Sequence, residues 1–567
     1  MQITKRDLLT IIVLCIVFFS VATWNLGMTQ TPVTTEQFSA GQGFYVDLGA
    51  STTVKSVVLL LKDGSFNLTL SVGSPDNWQV VASNVAYPYD SVKQQWSEEY
   101  YKWYEVSIQQ TTRCVKFTFN QSPYNTVIAE MAVIGQSSQQ IPIASINNSG
   151  SGNPTLLNLI DEQDDVQYPA TYMSQTYFDE IYFVRTAEQY LHLQIPFEWT
   201  HPPLGKLIQA SGILVFGYNP FGWRIMGVLF AMLMIPVIYF LGKKLFGTWI
   251  GAFASAFLLT FDFMHFTMGR MGTADTYVVF FSLLSQLFFL IYFLNVVKNG
   301  WKTSVLPLFF AVLFFALGFS TKWVVLYGFV GMLALLVALR IKDVAKLKES
   351  LANRYVAFFD YPFLLLLGFL VMAVFIYFLT YIPDMLAGRT LLDVINLQFG
   401  MYQYHSTLVA THPFSSQWWS WPLMVKPLFL FVSSLPNNIN SVIVLLGNPA
   451  VWWIGFAFII LAVERALRGK DLAAIFITVV FFFQWIPYVL ISRLTFIYHF
   501  YVNVPFLCLA SAYFINRYWR YKWGKVATIA FFVSVVAMFG LFYPVISGTP
   551  APTSFIDSLK WFKSWYF

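Results

Sequence analysis

Residues 223–241, WRIMGVLFAMLMIPVIYFL, form an apolar run with one charged side chain, Arg224. A helix of this length crosses the roughly 30 Å hydrocarbon core of a bilayer, because each helical residue adds about 1.5 Å. Similar runs recur along the C-terminal two-thirds of the 567-residue chain, and only 11% of all residues are charged. A soluble domain carries about a quarter charged residues. The sequence therefore predicts a polytopic α-helical membrane protein.

Eleven apolar runs have the length and composition of membrane spans. The first also resembles a secretory signal peptide, because Ser20-Val21-Ala22 offers a small-residue cleavage site, but its length favours a retained helix. The cysteines Cys15, Cys114 and Cys508 are too widely separated in sequence to indicate a disulfide framework. The predicted spans are residues 8–27, 223–241, 249–266, 273–296, 304–319, 323–339, 362–381, 449–466, 472–491, 496–514 and 526–542.

Basic clusters fall in alternate loops between these runs, and the positive-inside rule makes those loops cytoplasmic. Residues 28–221, residues 383–448 and the tail after residue 543 are then extracytoplasmic. The net charge of +6 follows from this asymmetry and requires no nucleic-acid partner. The clusters are Lys5/Arg6, Lys243/Lys244, Lys298/Lys302, residues 340–354, Arg465/Arg468/Lys470 and Arg517/Arg520/Lys522/Lys525.

Residues 31–140 differ from the apolar runs around them and predict an extracytoplasmic β-sandwich. Short β-rich segments alternate with turn residues, as in Lys62-Asp63-Gly64. The predicted strands are residues 43–48, 54–62, 66–72, 79–82, 103–108, 115–120 and 127–134.

This segment resembles the discoidin-like, galactose-binding jelly roll. The resemblance lies in the strand Phe44-Tyr45-Val46-Asp47-Leu48-Gly49, the turn Ser74-Pro75-Asp76-Asn77-Trp78 and the closing strand at residues 128–135. It implies either a sugar-binding module or a spacer that positions the substrate, and both interpretations stay open.

Residues 1–30 are predicted as the first transmembrane helix, and residues 141–176 as a linker with an acidic segment. That segment, Asp161-Glu162-Gln163-Asp164-Asp165, suits either Ca²⁺ binding or a solvated turn. Residues 177–567 are predicted as the transmembrane core, with outer loops at 177–222 and 383–448.

Asp179 and Glu180 begin a predicted amphipathic helix at the start of that core. One of two adjacent carboxylates has a raised pKa when it is partly buried and can then accept a proton. The alternative is a helix N-terminus at which acidic side chains stabilise the dipole.

Cations follow the acidic pair at several positions predicted to share its side of the membrane. His201 and Lys206 lie in the stiff turn His201-Pro202-Pro203-Leu204-Gly205-Lys206. A cation in or near hydrocarbon costs about 2.5–3.5 kcal/mol, so such residues generally have an anionic partner. Several together suggest a lipid phosphate. The other cations are Arg224, Arg270, Lys322 and Arg493.

An ordered series of motifs from residue 177 to the C-terminus resembles the protein O-mannosyltransferases, which are GT-C membrane glycosyltransferases using polyprenyl-phosphate sugars. The motifs are Phe178-Asp179-Glu180, His201-Pro202-Pro203-Leu204-Gly205-Lys206, Phe221-Gly222-Trp223-Arg224, Ser320-Thr321-Lys322-Trp323, Met401-Tyr402-Gln403-Tyr404-His405, His412-Pro413-Phe414-Ser415-Ser416, Trp421-Pro422-Leu423, Gly447-Asn448-Pro449 and Tyr498-His499-Phe500. The resemblance implies a GT-C fold. Together with the predicted spans and sandwich, the expected architecture is a GT-C fold of about eleven transmembrane helices with an inserted extracytoplasmic jelly roll.

The same resemblance implies an inverting transfer of mannose from a polyprenyl-phosphate donor to Ser/Thr hydroxyls of proteins. It assigns Asp179 as general base, with Glu180 positioning the base or the acceptor. The donor phosphate would meet Arg224, Lys322, Arg270, Arg493, His201 and Lys206, and the acceptor side would include His405, His412 and Asp275. No cofactor is obligatory, a divalent metal is allowed, and no closed metal site is evident from the sequence. The expected location is a prokaryotic plasma membrane, and a dimer is compatible with the family.

Two departures from the eukaryotic members leave the acceptor open. Residues 383–448 are too few for the β-trefoil domain of those members, and the β-sandwich precedes the acidic pair. An enzyme with the same donor and a lipid or cell-wall glycan acceptor is the main alternative. A transporter would show inverted repeats with broken helices near the midplane, for which the sequence offers no evidence. A sugar-binding receptor would explain the sandwich but not the spans.

Overall fold

The computed structural model describes residues 3–91, 93–149, 156–360, 362–468 and 471–567. Lys470 of a predicted cytoplasmic cluster and residues 150–155 of the predicted linker lie outside the described residues. The chain folds into two compact units, called here the β unit and the membrane unit. The β unit is Gly27–Arg185 with Ile213–Trp223, and the membrane unit is Met1–Leu26, Thr186–Gly212 and Arg224–Phe567.

The β unit is built on an eight-stranded antiparallel sheet, in agreement with the predicted all-β segment. Its path runs β1-β8-β2-β7-β3-β4, and β10 pairs with β2 while β9 pairs with β8. The small strands β5 and β6 form a separate hairpin. The strands are β1 Glu36–Phe38, β2 Gly43–Gly64, β3 Phe66–Ser74, β4 Asn77–Tyr87, β5 Tyr89–Asp90, β6 Gln95–Trp96, β7 Glu99–Phe119, β8 Thr126–Gly135, β9 Gln140–Ile141 and β10 Ser145–Asn148.

Two pairs of predicted strands are single long strands in the structure. The predictions 43–48 and 54–62 are both parts of β2, and 103–108 and 115–120 are both parts of β7. The register between β2 and β7 shifts between Asp47 and Thr52, so a bulge bends the strand without ending it. The polar residues at this bulge have the composition of a turn, so the sequence predicts the end of a strand there.

The acidic segment after the sheet is tied to the sheet by its own carboxylates. A Glu162 oxygen accepts hydrogen bonds from the backbone N–H groups of Val33 (2.8 Å) and Thr34 (3.0 Å). The buried Glu130 carboxylate accepts from the Glu162 N–H at 2.9 Å. Burial raises the pKa of Glu130 to about 8. Glu130, Asp161 and Glu162 lie close enough to share an ion, but these hydrogen bonds give the segment a structural role of its own.

In the part of the chain that the structure describes, eighteen α-helices belong wholly or partly to the membrane unit; α2 and α4 begin in the β unit, and α3 ends there. They are α1 Lys5–Thr23, α2 Glu180–Leu191, α3 Leu204–Phe216, α4 Pro220–Phe246, α5 Trp249–Thr260, α6 Phe263–Gly269, α7 Asp275–Asn299, α8 Leu306–Phe319, α9 Val325–Val344, α10 Leu351–Phe359, α11 Phe363–Leu379, α12 Ile382–Leu386, α13 Leu391–Thr407, α14 Pro449–Leu467, α15 Leu472–Trp485, α16 Val504–Tyr518, α17 Lys522–Ser547 and α18 Thr553–Ser558. Strands β11 Leu428–Leu435, β12 Ile439–Leu445 and β13 Ala551–Pro552 form a small sheet.

Among the described residues, nine helical segments are long and apolar enough to cross a membrane, and a bent pair would make ten. The pair is α5 and α6, which meet at 58°. The predicted span 304–319 corresponds to α8, whose 14 residues are about 21 Å long and therefore shorter than the hydrocarbon core. The polytopic prediction is confirmed, while the count of eleven includes this short helix.

The break between α5 and α6 is stabilised by the fully buried carboxylate of Asp262. Asp262 caps α6 by accepting from the His265 N–H at 3.1 Å. It also accepts from the Trp452 indole N–H at 2.9 Å and from the Asn448 N–H at 3.3 Å. Asn448 in turn caps α14 and donates to the Phe261 carbonyl at 3.0 Å. These bonds fix the start of α14 against the bend.

We expect Asp262→Ala to shorten the half-life of the folded protein at elevated temperature, because three buried N–H groups lose their acceptor at about 1–3 kcal/mol each. Tryptophan fluorescence during heating in detergent measures this. Asp262→Asn keeps an acceptor oxygen and is expected to lose less. Equal loss in both variants would show that the hydrogen bonds are not the cause.

Candidate active site

A cavity of about 450 Å³ lies inside the membrane unit, and half of the eight predicted cationic and imidazole groups line it. Five segments meet around it: the turn before α3, the start of α7, the segment between α8 and α9 with the first turn of α9, the end of α13, and residues 488–502 after α15. Of the predicted site residues, five line it, namely His201, Asp275, Lys322, His405 and Arg493.

Gly205 explains how the proline-stiffened turn reaches the cavity. A Cβ atom at this position would lie 2.8 Å from the Ala274 Cβ and 3.0 Å from the Thr321 Cγ2. Any larger residue would push α3 away from the neighbours of Asp275 and Lys322. The Leu204 N–H also donates to the Ser320 carbonyl at 3.0 Å. The turn is therefore fixed directly against the residues that hold the cavity charges.

Glu198 neutralises the cation of this turn. Its carboxylate lies 2.6 Å from the Lys206 ammonium and 3.0 Å from the His201 Nδ1, and all three side chains are largely buried. The Lys206 ammonium also donates to the Glu198 and His201 carbonyls at 2.7 and 2.8 Å. Burial raises the pKa of Glu198, but the Lys206 charge and the His201 hydrogen bond outweigh burial, so that pKa lies below its ordinary value. Lys206 is therefore an internal cation whose charge is already compensated.

His201 and His405 form an imidazole pair on the cavity wall, with ring centroids 5.2 Å apart. The His405 Nε2–H donates to the Thr200 carbonyl at 2.8 Å, which fastens the end of α13 to the turn. Burial lowers the pKa of His201 in spite of Glu198. Burial, with the positive groups nearby, lowers the pKa of His405 to about 4. Both imidazoles are therefore neutral near pH 7.

The charges that line the cavity are two cations and one carboxylate. The Lys322 ammonium lies 2.8 Å from an Asp275 oxygen, and their side chains keep 13% and 16% of their exposure. Arg493 forms neither an ion pair nor a hydrogen bond with any other residue that the structure describes. With neutral imidazoles, the cavity carries a net charge of about +1, which suits an anion.

Three predicted phosphate ligands do not line the cavity, namely Lys206, described above, and the arginines Arg224 and Arg270. The Arg270 guanidinium donates to the carbonyls of Ala22, Trp24, Asn25 and Ser547 at 2.6–3.2 Å. Arg224 is fully buried and donates to the Leu26 carbonyl at 3.0 Å. Cations suit the negative end of a helix dipole, and three of these carbonyls follow the end of α1. Neither arginine lines the cavity.

His412, predicted on the acceptor side, does not line the cavity either. Its ring packs against Phe414 and Phe496, with centroids 5.9 and 5.1 Å apart, and its Nδ1 accepts from the Phe414 N–H at 3.2 Å.

The acidic pair belongs to the β unit, where the chain enters α2. Glu180 is fully buried and accepts from the Tyr177 N–H at 3.2 Å, while Asp179 is half-buried. Phe178 has a φ of +50°, a conformation that costs an aromatic residue about 1–3 kcal/mol. Strain of this kind is concentrated at functional sites, and here it directly precedes Asp179.

Two family models match consecutive parts of the chain, together more than half of it. Residues 200–381 match "Dolichyl-phosphate-mannose-protein mannosyltransferase", and residues 390–565 match the "C-terminal four TMM region of protein-O-mannosyltransferase". The chain belongs to the protein O-mannosyltransferase family. Neither matched segment includes Asp179 or the sheet of the β unit.

The alignments with curated relatives in this family cover most of the length of each relative. A polyprenol-phosphate-mannose–protein mannosyltransferase of Corynebacterium glutamicum is 26% identical over 427 residues, covering 64% of this chain and 81% of the relative. One of Mycobacterium tuberculosis is 24% identical over 429 residues, covering 64% and 80%.

Among solved structures, the S. cerevisiae protein O-mannosyltransferase Pmt1-Pmt2 complex bound to the sugar donor is similar, with a TM-score of 0.58. It is 14% identical and covers 69% of this chain and 89% of that chain, so the likeness concerns the fold. The prediction of a GT-C membrane enzyme is confirmed.

Sequence reasoning overlooked Glu198, which organises the turn before α3 in this O-mannosyltransferase. A carboxylate only three residues before His201, in a segment rich in apolar side chains, was the available signal. The tyrosines Tyr327, Tyr488 and Tyr498 also line the cavity without having been predicted as site residues.

Glu198→Gln is expected to destabilise this mannosyltransferase by about 3–5 kcal/mol, because Lys206 would remain as an uncompensated buried charge. Thermal inactivation of the purified protein in detergent measures the loss. The double variant Glu198→Gln/Lys206→Met removes both charges and is expected to recover part of it. A double variant as unstable as the two single changes added together would contradict the pairing.

Proposed function

We propose that this protein transfers mannose from a polyprenyl-phosphate donor to Ser/Thr hydroxyls of proteins. The curated relatives are named polyprenol-phosphate-mannose–protein mannosyltransferases, and the chain covers about four-fifths of their length. The observation that carries the proposal is the cavity. Lys322 and Arg493 both line it, and Arg493 has no anionic partner among the described residues.

The cavity cations are proposed to bind the donor phosphate. A sugar phosphodiester carries one negative charge, which matches the net charge of about +1 in the cavity. Lys322 and Arg493 can each form charge-assisted hydrogen bonds with phosphate oxygens. Arg224 and Arg270 are instead proposed to stabilise the end of α1, because backbone carbonyls occupy their guanidinium groups.

Transfer is proposed to occur in one inverting displacement. The acceptor hydroxyl oxygen forms a bond to the anomeric carbon, and the bond from that carbon to the phosphate oxygen breaks with its electron pair leaving on the phosphate. Asp179 takes the hydroxyl proton. Phosphate is a good leaving group, so stabilisation of its charge by cations replaces the acid that a glycosidase needs. Glu180, held by the Tyr177 N–H, positions the start of α2.

The reaction is proposed to take place at the extracytoplasmic face of a prokaryotic plasma membrane. Asp275 is the first residue of α7 and lines the cavity, while Lys298 lies in the last turn of the same helix. Within the next span, Lys322 precedes α9 and Lys342 lies in its last turn. The cavity thus lies at the helix ends opposite the basic clusters, which the positive-inside rule makes cytoplasmic. A dimer is also proposed, since the yeast structural neighbour is a two-chain complex by its title.

The direct test incubates the purified full-length protein with polyprenyl-phosphate mannose and a Ser/Thr-rich peptide, followed by mass spectrometry of the peptide. A mass increase of one hexose, absent with a peptide in which Ala replaces Ser and Thr, is expected. No transfer to the peptide, with transfer to a lipid or glycan acceptor under the same conditions, would overturn the protein acceptor.

Asp179→Asn is expected to reduce the rate of transfer by about 10²–10⁴-fold, the usual contribution of a general base. The amide cannot accept the proton but keeps the shape of the side chain, so donor binding should change little. Single-turnover transfer and donor binding are measured on the same preparation. A variant with substantial activity would exclude Asp179 as the base.

Arg493→Ala is expected to raise the donor KM by about 10- to 150-fold, the effect of losing a hydrogen bond to a charged group worth about 1.5–3 kcal/mol. The peptide KM should change little. Arg493→Lys keeps the charge and serves as the partial-rescue variant, while Lys560→Ala, in an exposed ion pair with Asp557, is the control for charge removal. An unchanged donor KM would contradict the phosphate role.

A further inference from the structure

One carboxylate lies among the groups that are proposed to bind the donor phosphate. Asp275 lines the cavity and contacts the Lys322 ammonium at 2.8 Å. An anion hydrogen-bonded to that ammonium at about 2.8 Å would lie within about 6 Å of the Asp275 oxygen. Asp275 therefore repels the anion that Lys322 and Arg493 attract. This opposition requires a functional explanation.

The charge of the phosphate changes during the reaction. The donor is a phosphodiester with one negative charge and no proton that titrates near neutral pH. When the bond from the anomeric carbon to oxygen breaks, the bonding electrons stay on the phosphate, and the lipid product is a phosphomonoester. The second pKa of a phosphomonoester is about 6, so at neutral pH the product carries nearly two negative charges.

We propose that Asp275 makes the cavity discriminate between the monoanionic donor and the dianionic lipid product, and thereby promotes product release. The inference rests on the proposed function. It gives Asp275 a role on the donor side, in place of the acceptor side that the sequence suggested.

The argument depends on how the repulsion scales. The Coulomb energy between Asp275 and the ligand is proportional to the charge of the ligand, so the carboxylate penalises the dianion about twice as strongly as the monoanion. Lys322 and Arg493 attract both species. Without Asp275, they would attract the dianion about twice as strongly as the monoanion. Asp275 thus offsets the tendency of a cationic site to retain its more highly charged product.

The other groups around the cavity do not supply this discrimination. The titratable side chains that line it, besides tyrosines, are the imidazoles of His201, His405 and His499, in addition to the charges of Asp275, Lys322 and Arg493. Glu198 and Lys206, on the turn before α3, form an ion pair that does not line the cavity. His201 and His405 are neutral near pH 7 because burial lowers the pKa of each. The phenols of Tyr327, Tyr402, Tyr488, Tyr498 and Tyr501 also line the cavity. Asp275 is the single carboxylate among the described lining residues.

The experiment compares the wild type with Asp275→Asn, which keeps the shape of the side chain and an oxygen for Lys322. Farnesyl phosphate serves as a soluble probe of the lipid product, and its inhibition constant is measured between pH 5.5 and pH 8 together with the donor KM. The matched control is Asp557→Asn, which breaks an exposed ion pair with Lys560 outside the cavity.

At pH 8 we expect Asp275→Asn to bind farnesyl phosphate about tenfold or more tightly than the wild type, and to gain less for the donor. The gain for farnesyl phosphate should decrease as the pH falls through about 6, because the probe becomes a monoanion. The gain for the donor should not depend on pH. Turnover should fall in the variant if product release limits it.

A different result would overturn the inference. If Asp275 only orients Lys322, the variant should bind donor and farnesyl phosphate more weakly by similar factors at every pH. Equal tightening of both ligands, or a gain that does not depend on pH, would also exclude discrimination by charge. Failure of the proposed function is distinguishable, since the wild type would then transfer no mannose in the direct assay.

Discussion

The contact between Glu198 and Lys206 supports the geometry of the whole cavity. A buried ammonium is tolerated in an apolar protein only when an anion and further acceptors surround it, and Glu198 together with two backbone carbonyls meets that requirement. The same carboxylate orients His201. The turn, fixed at Lys206 and brought close by Gly205, then gives His405 a carbonyl to bind. Removal of this one anion would release the wall on which the other groups depend.

The cations of this protein have two distinct environments, and the difference separates structure from chemistry. Arg270 donates to four backbone carbonyls, Arg224 donates to the Leu26 carbonyl, and Lys206 pairs with a carboxylate, so these cations have partners within the fold. Lys322 and Arg493 lie at the cavity surface, where Asp275 compensates only one of the two charges. An anionic ligand gains most at the second kind of site, because Lys322 and Arg493 line the cavity and the other three cations do not.

Much of the fold could be predicted because its signals are local. The apolar runs specify spans through length alone, and the short apolar run at 57–61, which Lys62-Asp63-Gly64 follows, specifies a strand that is buried on both faces. The bend at Asp262 could not be predicted, because its cause is a set of hydrogen bonds to residues nearly two hundred positions later. The bulge near Thr52 was misjudged for a similar reason, since pairing with β7 overrides the turn-like local sequence.

The site was predicted in part, for reasons that can be stated residue by residue. Lys322, Arg493, His201 and His405 could be selected by chemical type and by side of the membrane. Distinguishing them from Arg270 requires the distances to the carbonyls after α1, which no sequence pattern contains. Glu198 was missed because a single acidic residue in a loop is ordinarily a solvated one. Burial, which is a tertiary property, gives it its importance.

The hydrogen bonds of Asp262 have a consequence for biogenesis. Its partner Trp452 follows 190 residues later in the chain. At about 5–20 residues per second, a ribosome needs roughly 10–40 s to synthesise that interval. During this time the Asp262 carboxylate enters the bilayer without two of its hydrogen-bond donors, the Trp452 indole N–H and the Asn448 N–H. Until α14 is synthesised, water or another protein has to supply the hydrogen bonds that the Trp452 and Asn448 N–H groups later donate to Asp262.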